Sequence, residues 1–302
     1  MTGQSATGVA NPTTGTGAGT VAEPFGARLA AAMDAHGPLC VGIDPHAALL
    51  QAWGLPVDLS GLERFAMTCV EAFAGRVAVV KPQSAFFEVF GSRGVAVLER
   101  VLADLRDAGT LTILDAKRGD IGSTMAAYAQ AFLSDEGPGR ADALTVSPFL
   151  GYGSLRPALD VAAATGRGVF VLALTSNPEG PQVQHAQTPQ GSVAGAVVAG
   201  AAADNAGAAA RGEMGHVGLV VGATVGDAVT RLGLDLASSA APLLAPGLGA
   251  QGAGPGDLRA VFGDAVGNVL PNVSRSVLSA GPSVQALAAA AARDADSVRA
   301  AL

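Results

Sequence analysis

The sequence predicts an α/β fold in a single domain, a closed (β/α)8 TIM barrel, on three observations. Eight short apolar runs recur along the 302 residues. A loop and a helix-patterned stretch come after each run, and nearly every run ends in a polar or charged residue close to Pro or Gly. Continuous apolar strands alternating with helices belong to parallel sheets covered on both faces. A count of eight favours closure into a barrel over an open doubly wound sheet, and one barrel accounts for a chain of this length.

Residues 1–20 are rich in Gly, Thr, Ser and Ala, with almost no large apolar side chain, so a flexible tail is expected there and the barrel over 21–302. Phe25, Leu29 and Met33 recur at i, i+4 and i+8 and predict a helix over 25–36. Strands are predicted at 39–43, 77–80, 111–114, 143–146, 169–174, 217–221, 242–245 and 269–273. Helices are predicted between and after them at 62–73, 95–105, 125–132, 155–163, 193–210, 225–232, 257–261 and 284–300.

Composition excludes several classes of function. The net charge is −7 with no basic block, which disfavours a nucleic-acid partner. Mean hydropathy is high at +0.39, but alanine carries much of it, and no run of about 18 strongly apolar residues exists to cross a membrane. Cys40 and Cys69 sit among apolar neighbours and read as buried free thiols in a reducing compartment. No His/Cys cluster has zinc-ligand spacing, and the N-terminus lacks a charged segment followed by an apolar one, so no metal and a cytoplasmic location are expected.

In a barrel of this kind, chemistry gathers where the strands end. Asp44 comes after the first strand, Lys81 after the second, and Asp115, Lys117 and Asp120 after the third; Ser176 and Asn177 come after the fifth, Gln251 after the seventh and Arg275 after the eighth. Four of the six residues from Asp115 to Asp120 are charged in a chain only 14% charged. Ending an apolar strand this way is costly unless the charges pair or act. Asp115 and Lys117 are two apart, so on an extended strand both point to one side. A solvated, salt-bridged loop would carry the same residues. A site is favoured because the other strands also deliver polar groups to the same rim. The glycines from Gly247 to Gly252 match a dinucleotide fingerprint, but Pro255 delays the helix and no acidic residue lies about 20 positions on. They are read instead as phosphate-binding backbone amides, with Arg275 as a bidentate partner. His46 reads as a loop residue, and His185 lies in a polar stretch expected to form a loop over the mouth.

Six segments, in order, carry a resemblance: Gly42-Ile-Asp-Pro45, Val80-Lys-Pro-Gln83, Asp115 to Thr124, Thr175-Ser-Asn-Pro178, Pro246 to Gly252 and Ser274-Arg-Ser276. Together they resemble the orotidine 5′-phosphate decarboxylase family, in its longer bacterial subgroup (type 2), over roughly residues 24–300. The resemblance implies a homodimer with sites at the interface, converting orotidine 5′-phosphate to UMP and CO₂ in de novo pyrimidine biosynthesis with no cofactor and no metal. It implies that Lys117 protonates C6 and that Lys81, Asp115, Lys117 and Asp120 form an alternating charge array. Asp120 would reach the neighbouring subunit's site, with Ile121 and Thr124 beside it. Asp44 would bind the ribose hydroxyls, Ser176 and Asn177 the pyrimidine side, and Gln251 and Arg275 the phosphate. Two alternatives use the same barrel. A sugar-phosphate decarboxylase or aldolase would place Mg²⁺ on the carboxylates, which the Lys81 ammonium opposes. A non-catalytic nucleotide-phosphate-binding barrel would have no need of Lys81, Asp115, Lys117 and Asp120 together.

Overall fold

The computed structural model describes residues 22–249, 252 and 254–302. The expected tail and Gln251 lie outside these residues. Among the described residues there are ten strands: β1 (Cys40–Ile43), β2 (Val79–Pro82), β3 (Leu111–Arg118), β4 (Ala143–Val146), β5 (Gly168–Leu174), β6 (Gln187–Thr188), β7 (Gly191–Ser192), β8 (Val217–Val221), β9 (Leu243–Pro246) and β10 (Val269–Val273). Eight of them close a barrel in the order β1-β2-β3-β4-β5-β8-β9-β10, and β10 pairs in parallel with β1. The expected TIM barrel is therefore the observed fold. The antiparallel pair β6–β7 lies outside the barrel, in the polar stretch after β5 where the sequence suggested only a loop.

Three predicted strands, 143–146, 217–221 and 269–273, coincide with β4, β8 and β10. The strand predicted at 77–80 is displaced by two residues. Val77 and Ala78 are buried before pairing begins, and β2 runs on so that Lys81 pairs with Gly42 inside the ladder. β3 continues four residues beyond its apolar run, through Asp115 to Arg118, which pairs with Val146. The helix expected over 193–210 breaks at Asn205. Its side-chain amide donates to the carbonyls of Val217 and Ser239, and its Oδ1 accepts the Val217 N–H, tying the break to β8. The helix expected over 225–232 is one turn, Ala228–Arg231.

The apolar side chains form two buried clusters, one between the strands and the surrounding helices and one inside the barrel. The inner cluster is closed from below by the helix Phe25–His36. Phe25 meets Phe170 edge-on, with ring centroids 5.9 Å apart, and lies against Gly168 at the start of β5. Gly218 faces the Phe170 ring so closely that a side chain there would collide with it. The N-terminal end of the barrel is thus packed with hydrocarbon, and the open polar end lies at the strand C-termini. Cys40 and Cys69 are both free and buried, and burial pushes the Cys40 thiol up to about 12. Among the described residues no helix is long and apolar enough to cross a membrane.

Phe170 is fully buried, so Phe170→Ala leaves a cavity at the barrel centre. We expect a loss of about 3–5 kcal/mol in urea unfolding with an unchanged m-value. A loss under about 1 kcal/mol would contradict the role given to this plug.

Candidate active site

At the C-terminal end of the barrel a cavity of about 410 Å³ opens. Its lining includes six of the predicted residues: Asp44, Lys81, Asp115, Lys117, Ser176 and Arg275. They come from or just after β1, β2, β3, β5 and β10, so it is closure of the barrel that brings them together. Pro246 at the end of β9, with Gly247 and Leu248 just beyond it, forms another wall.

Asp115 is the hub. Its Oδ2 accepts from Lys81 Nζ at 2.9 Å and from Gln83 Nε2 at 2.9 Å. Its Oδ1 accepts from Lys117 Nζ at 2.6 Å and from Thr145 Oγ1 at 2.9 Å. The side chains of Asp115 and Lys81 are 8% and 5% exposed, whereas that of Lys117 is 45% exposed. The ammonium of Lys117 therefore opens to the cavity with a dry ion pair behind it. Burial alone would raise the Asp115 carboxyl, but the Lys81 and Lys117 ammoniums outweigh it and hold the group well below the usual carboxylate range. Burial would likewise lower Lys81, and the charges of Asp115 and then Asp44 raise it above the ordinary lysine value. Both groups are charged at neutral pH.

Asp115 and Lys117 do meet, as their spacing suggested, but not on a regular strand. The pairing of β3 with β4 jumps from Leu114–Leu144 to Arg118–Val146. Within this bulge Lys117 has φ +47°, in the left-handed region that non-glycine residues seldom occupy. Beside the cavity wall, Asp44 Oδ1 is buried with no hydrogen-bond partner among the described residues.

Of the other predicted residues, Asp120, Ile121, Thr124 and Asn177 stand elsewhere. Asp120 turns back to accept the N–H of Ile121 at 2.7 Å. Ile121, 62% exposed, and Thr124 lie on the surface at the start of the helix Gly122–Leu133. None of the three lines the cavity of its own chain. Asn177 accepts from Thr175 Oγ1 and donates to Glu179, and it borders a neighbouring apolar cavity instead. Sequence reasoning passed over Gln83 and Thr145 as groups holding Asp115. The signal for Thr145 was a lone hydroxyl between Leu144 and Val146 in a buried strand. His46, read as a loop residue, lines the cavity with its ring 4.1 Å from that of Phe86. Among the described residues no three His, Cys, Asp or Glu side chains gather as a metal-ligand set.

The orotidine 5′-phosphate decarboxylase / HUMPS family matches residues 37–290. An orotidine 5′-phosphate decarboxylase of Streptomyces coelicolor is 61% identical over 282 residues, covering 93% of this chain and 99% of the relative. One from Salinispora arenicola is 62% identical over 281 residues, with the same two coverages of 93% and 99%. Among solved structures, a Streptomyces avermitilis chain designated an orotidine 5′-phosphate decarboxylase superposes with a TM-score of 0.89 at 62% identity, covering 94% of this chain and 98% of that one. The Leishmania donovani OMP decarboxylase gives 0.68 at 31% identity, covering 91% and 99%.

Asp115→Asn would leave Lys81, 4% exposed, without its counter-ion. The expected cost is about 3–5 kcal/mol at neutral pH, because an unpaired charge would remain buried. The depressed carboxyl sets the sign of the pH dependence. Its stabilisation is complete above the ordinary value of 3.8 and is lost as pH falls below it. Denaturant titrations of both proteins should therefore show the gap narrowing on acidification, and a gap that widens would contradict the ion-pair account.

Proposed function

The chain belongs to the orotidine 5′-phosphate decarboxylase / HUMPS family, and from that premise we infer that it decarboxylates orotidine 5′-phosphate to UMP and CO₂ in pyrimidine biosynthesis. One observation in the site carries the chemical reading. An ionised carboxylate, Asp115, is pinned between two ammonium groups, and one of these faces an open cavity with Arg275 on its wall.

Substrate enters with its phosphate toward Arg275 and the backbone of Gly247 and Leu248. The ribose hydroxyls meet the Asp44 carboxylate on the cavity wall, and the pyrimidine edge meets Ser176. The substrate carboxylate then lies beside Asp115, and like charges at close range disfavour the bound ground state. The C6–carboxylate bond breaks, its electron pair stays on C6, and CO₂ departs. The Lys117 ammonium stabilises that developing charge because it is fixed in place before the reaction begins. Its proton passes to C6, and the neutral amine recovers a proton from solvent. Lys81 keeps Asp115 ionised throughout. The phosphate is remote from C6, so its binding energy aids the reaction only by holding the ring in place.

The active unit is a homodimer in the cytoplasm. The loops after β3 and β4 meet at this rim, where Gly119 lies against the Ser147 carbonyl. Beyond these contacts Ile121, Phe149 and Leu150 stand 62%, 78% and 53% exposed. Covering them would bring Asp120, Ile121 and Thr124 to the partner's cavity and complete the array.

Two experiments test this reading. Purified protein with orotidine 5′-phosphate and excess EDTA should lose the orotate absorbance rapidly, and Lys117→Ala should remain folded but turn over at least about 10³-fold more slowly. Turnover that requires added Mg²⁺, or near-wild-type turnover in the variant, would contradict it. For the dimer, Ile121→Asp should shift sedimentation toward the monomer and lower kcat, because a charge replaces apolar surface in the interface. An unshifted monomeric wild type would overturn the assembly.

A further inference from the structure

Thr145 lies in the middle of β4 and is 1% exposed. A hydroxyl carries one proton to donate and two lone pairs with which to accept. Thr145 Oγ1 accepts the backbone N–H of Ala116 at 3.1 Å and of Lys117 at 3.0 Å. Both lone pairs are thereby filled, and the single proton is directed to Asp115 Oδ1 at 2.9 Å. The two amides belong to the stretch where the β3–β4 ladder skips from Leu114 to Arg118. One hydroxyl thus receives the backbone of the bulge and donates to the carboxylate that the bulge faces.

This division of partners is selective. Lys81 and Gln83 hold Oδ2 of Asp115, whereas Thr145 and Lys117 share Oδ1. The Lys117 side chain is 45% exposed, so its direction depends on its left-handed backbone and on that one oxygen. Thr145 secures both and does not itself line the cavity.

We propose that Thr145 is the positioning residue of the charge array, aiming the Lys117 ammonium by bonding the Ala116–Lys117 amides and Asp115 at once. The kinetic consequence rests on the decarboxylase reading; the structural consequence does not. Removing the hydroxyl would strip two buried amides of their acceptor and Oδ1 of a donor, freeing Lys117 to leave the left-handed region. The phosphate, ribose and pyrimidine contacts assigned to Arg275, Asp44 and Ser176 would be untouched, so kcat should change far more than KM.

The test compares Thr145→Val, which keeps the branched shape, with Thr145→Ser, which keeps the hydroxyl. Thr145→Val should lower kcat about 10- to 100-fold with KM within about 3-fold, and Thr145→Ser should stay within about 3-fold of wild type in both. Wild-type kcat in Thr145→Val, or an equal loss in Thr145→Ser, would overturn the proposal. If Thr145→Val does not fold, Thr145→Ala carries the same comparison. Failure of both to fold beside a folded Thr145→Ser would make the hydroxyl a folding requirement and overturn the positioning role. If the wild type itself shows no turnover, the functional reading fails, and a crystal structure of the folded hydroxyl-free variant decides the rest. Lys117 should then have left the left-handed region, with its Nζ beyond hydrogen-bond distance of Asp115. An unchanged Lys117 would overturn the proposal.

Discussion

The carboxylate of Asp115 is charged in a place from which water is largely shut out, and the architecture around it answers that constraint. Burying an ion costs several kcal/mol unless partners of the right charge and geometry surround it. Here two ammonium groups, a side-chain amide and a hydroxyl converge on two oxygens. They come from three adjacent strands or their ends: Lys81 and Gln83 from β2, Lys117 from β3 itself and Thr145 from β4. No single helix or hairpin could present them. A closed parallel sheet can, because neighbouring strands end at one rim and each can contribute a side chain there.

The same closure separates stability from chemistry. The lower end of the barrel is filled by Phe25, Phe170 and their apolar neighbours, which tolerate no water and need no charge. The upper end holds an ion pair that would be ruinous if one member were missing. Lys117 marks the boundary between the two regimes. Its backbone is bound into the sheet through Thr145, while its side chain opens to the cavity. Under the proposed chemistry that is what a proton donor needs: a fixed origin and an accessible tip.

Much of this was legible in the sequence, for physical reasons that differ from residue to residue. The strands at 143–146, 217–221 and 269–273 could be read directly because their apolar runs begin and end with the ladder. β2 could not, because Val77 and Ala78 are buried without being paired. β3 was cut short because charged residues signal a loop, whereas here they continue the strand under cover of their own pairing. Asp44, Lys81, Asp115, Lys117, Ser176 and Arg275 could be found because each stands at or just past the end of an apolar run, and parallel closure puts all those ends on one rim. Thr145 and Gln83 escaped that criterion, since Thr145 lies within its strand and both work on a side chain rather than by lining alone. The meeting of Asp115 with Lys117 was anticipated, but the bulge that brings it about depends on β4, which a reading of β3 in isolation does not contain.

The central claim is that Asp115 and Lys81 hold each other in their charged forms at the floor of the cavity. Side-chain NMR of labelled lysines, combined with pH titration, measures this directly. Lys81 should show no deprotonation up to the ordinary lysine value of 10.5, with Asp115 remaining ionised throughout. A Lys81 that titrates well below that value, or an Asp115 protonated at neutral pH, would contradict the account.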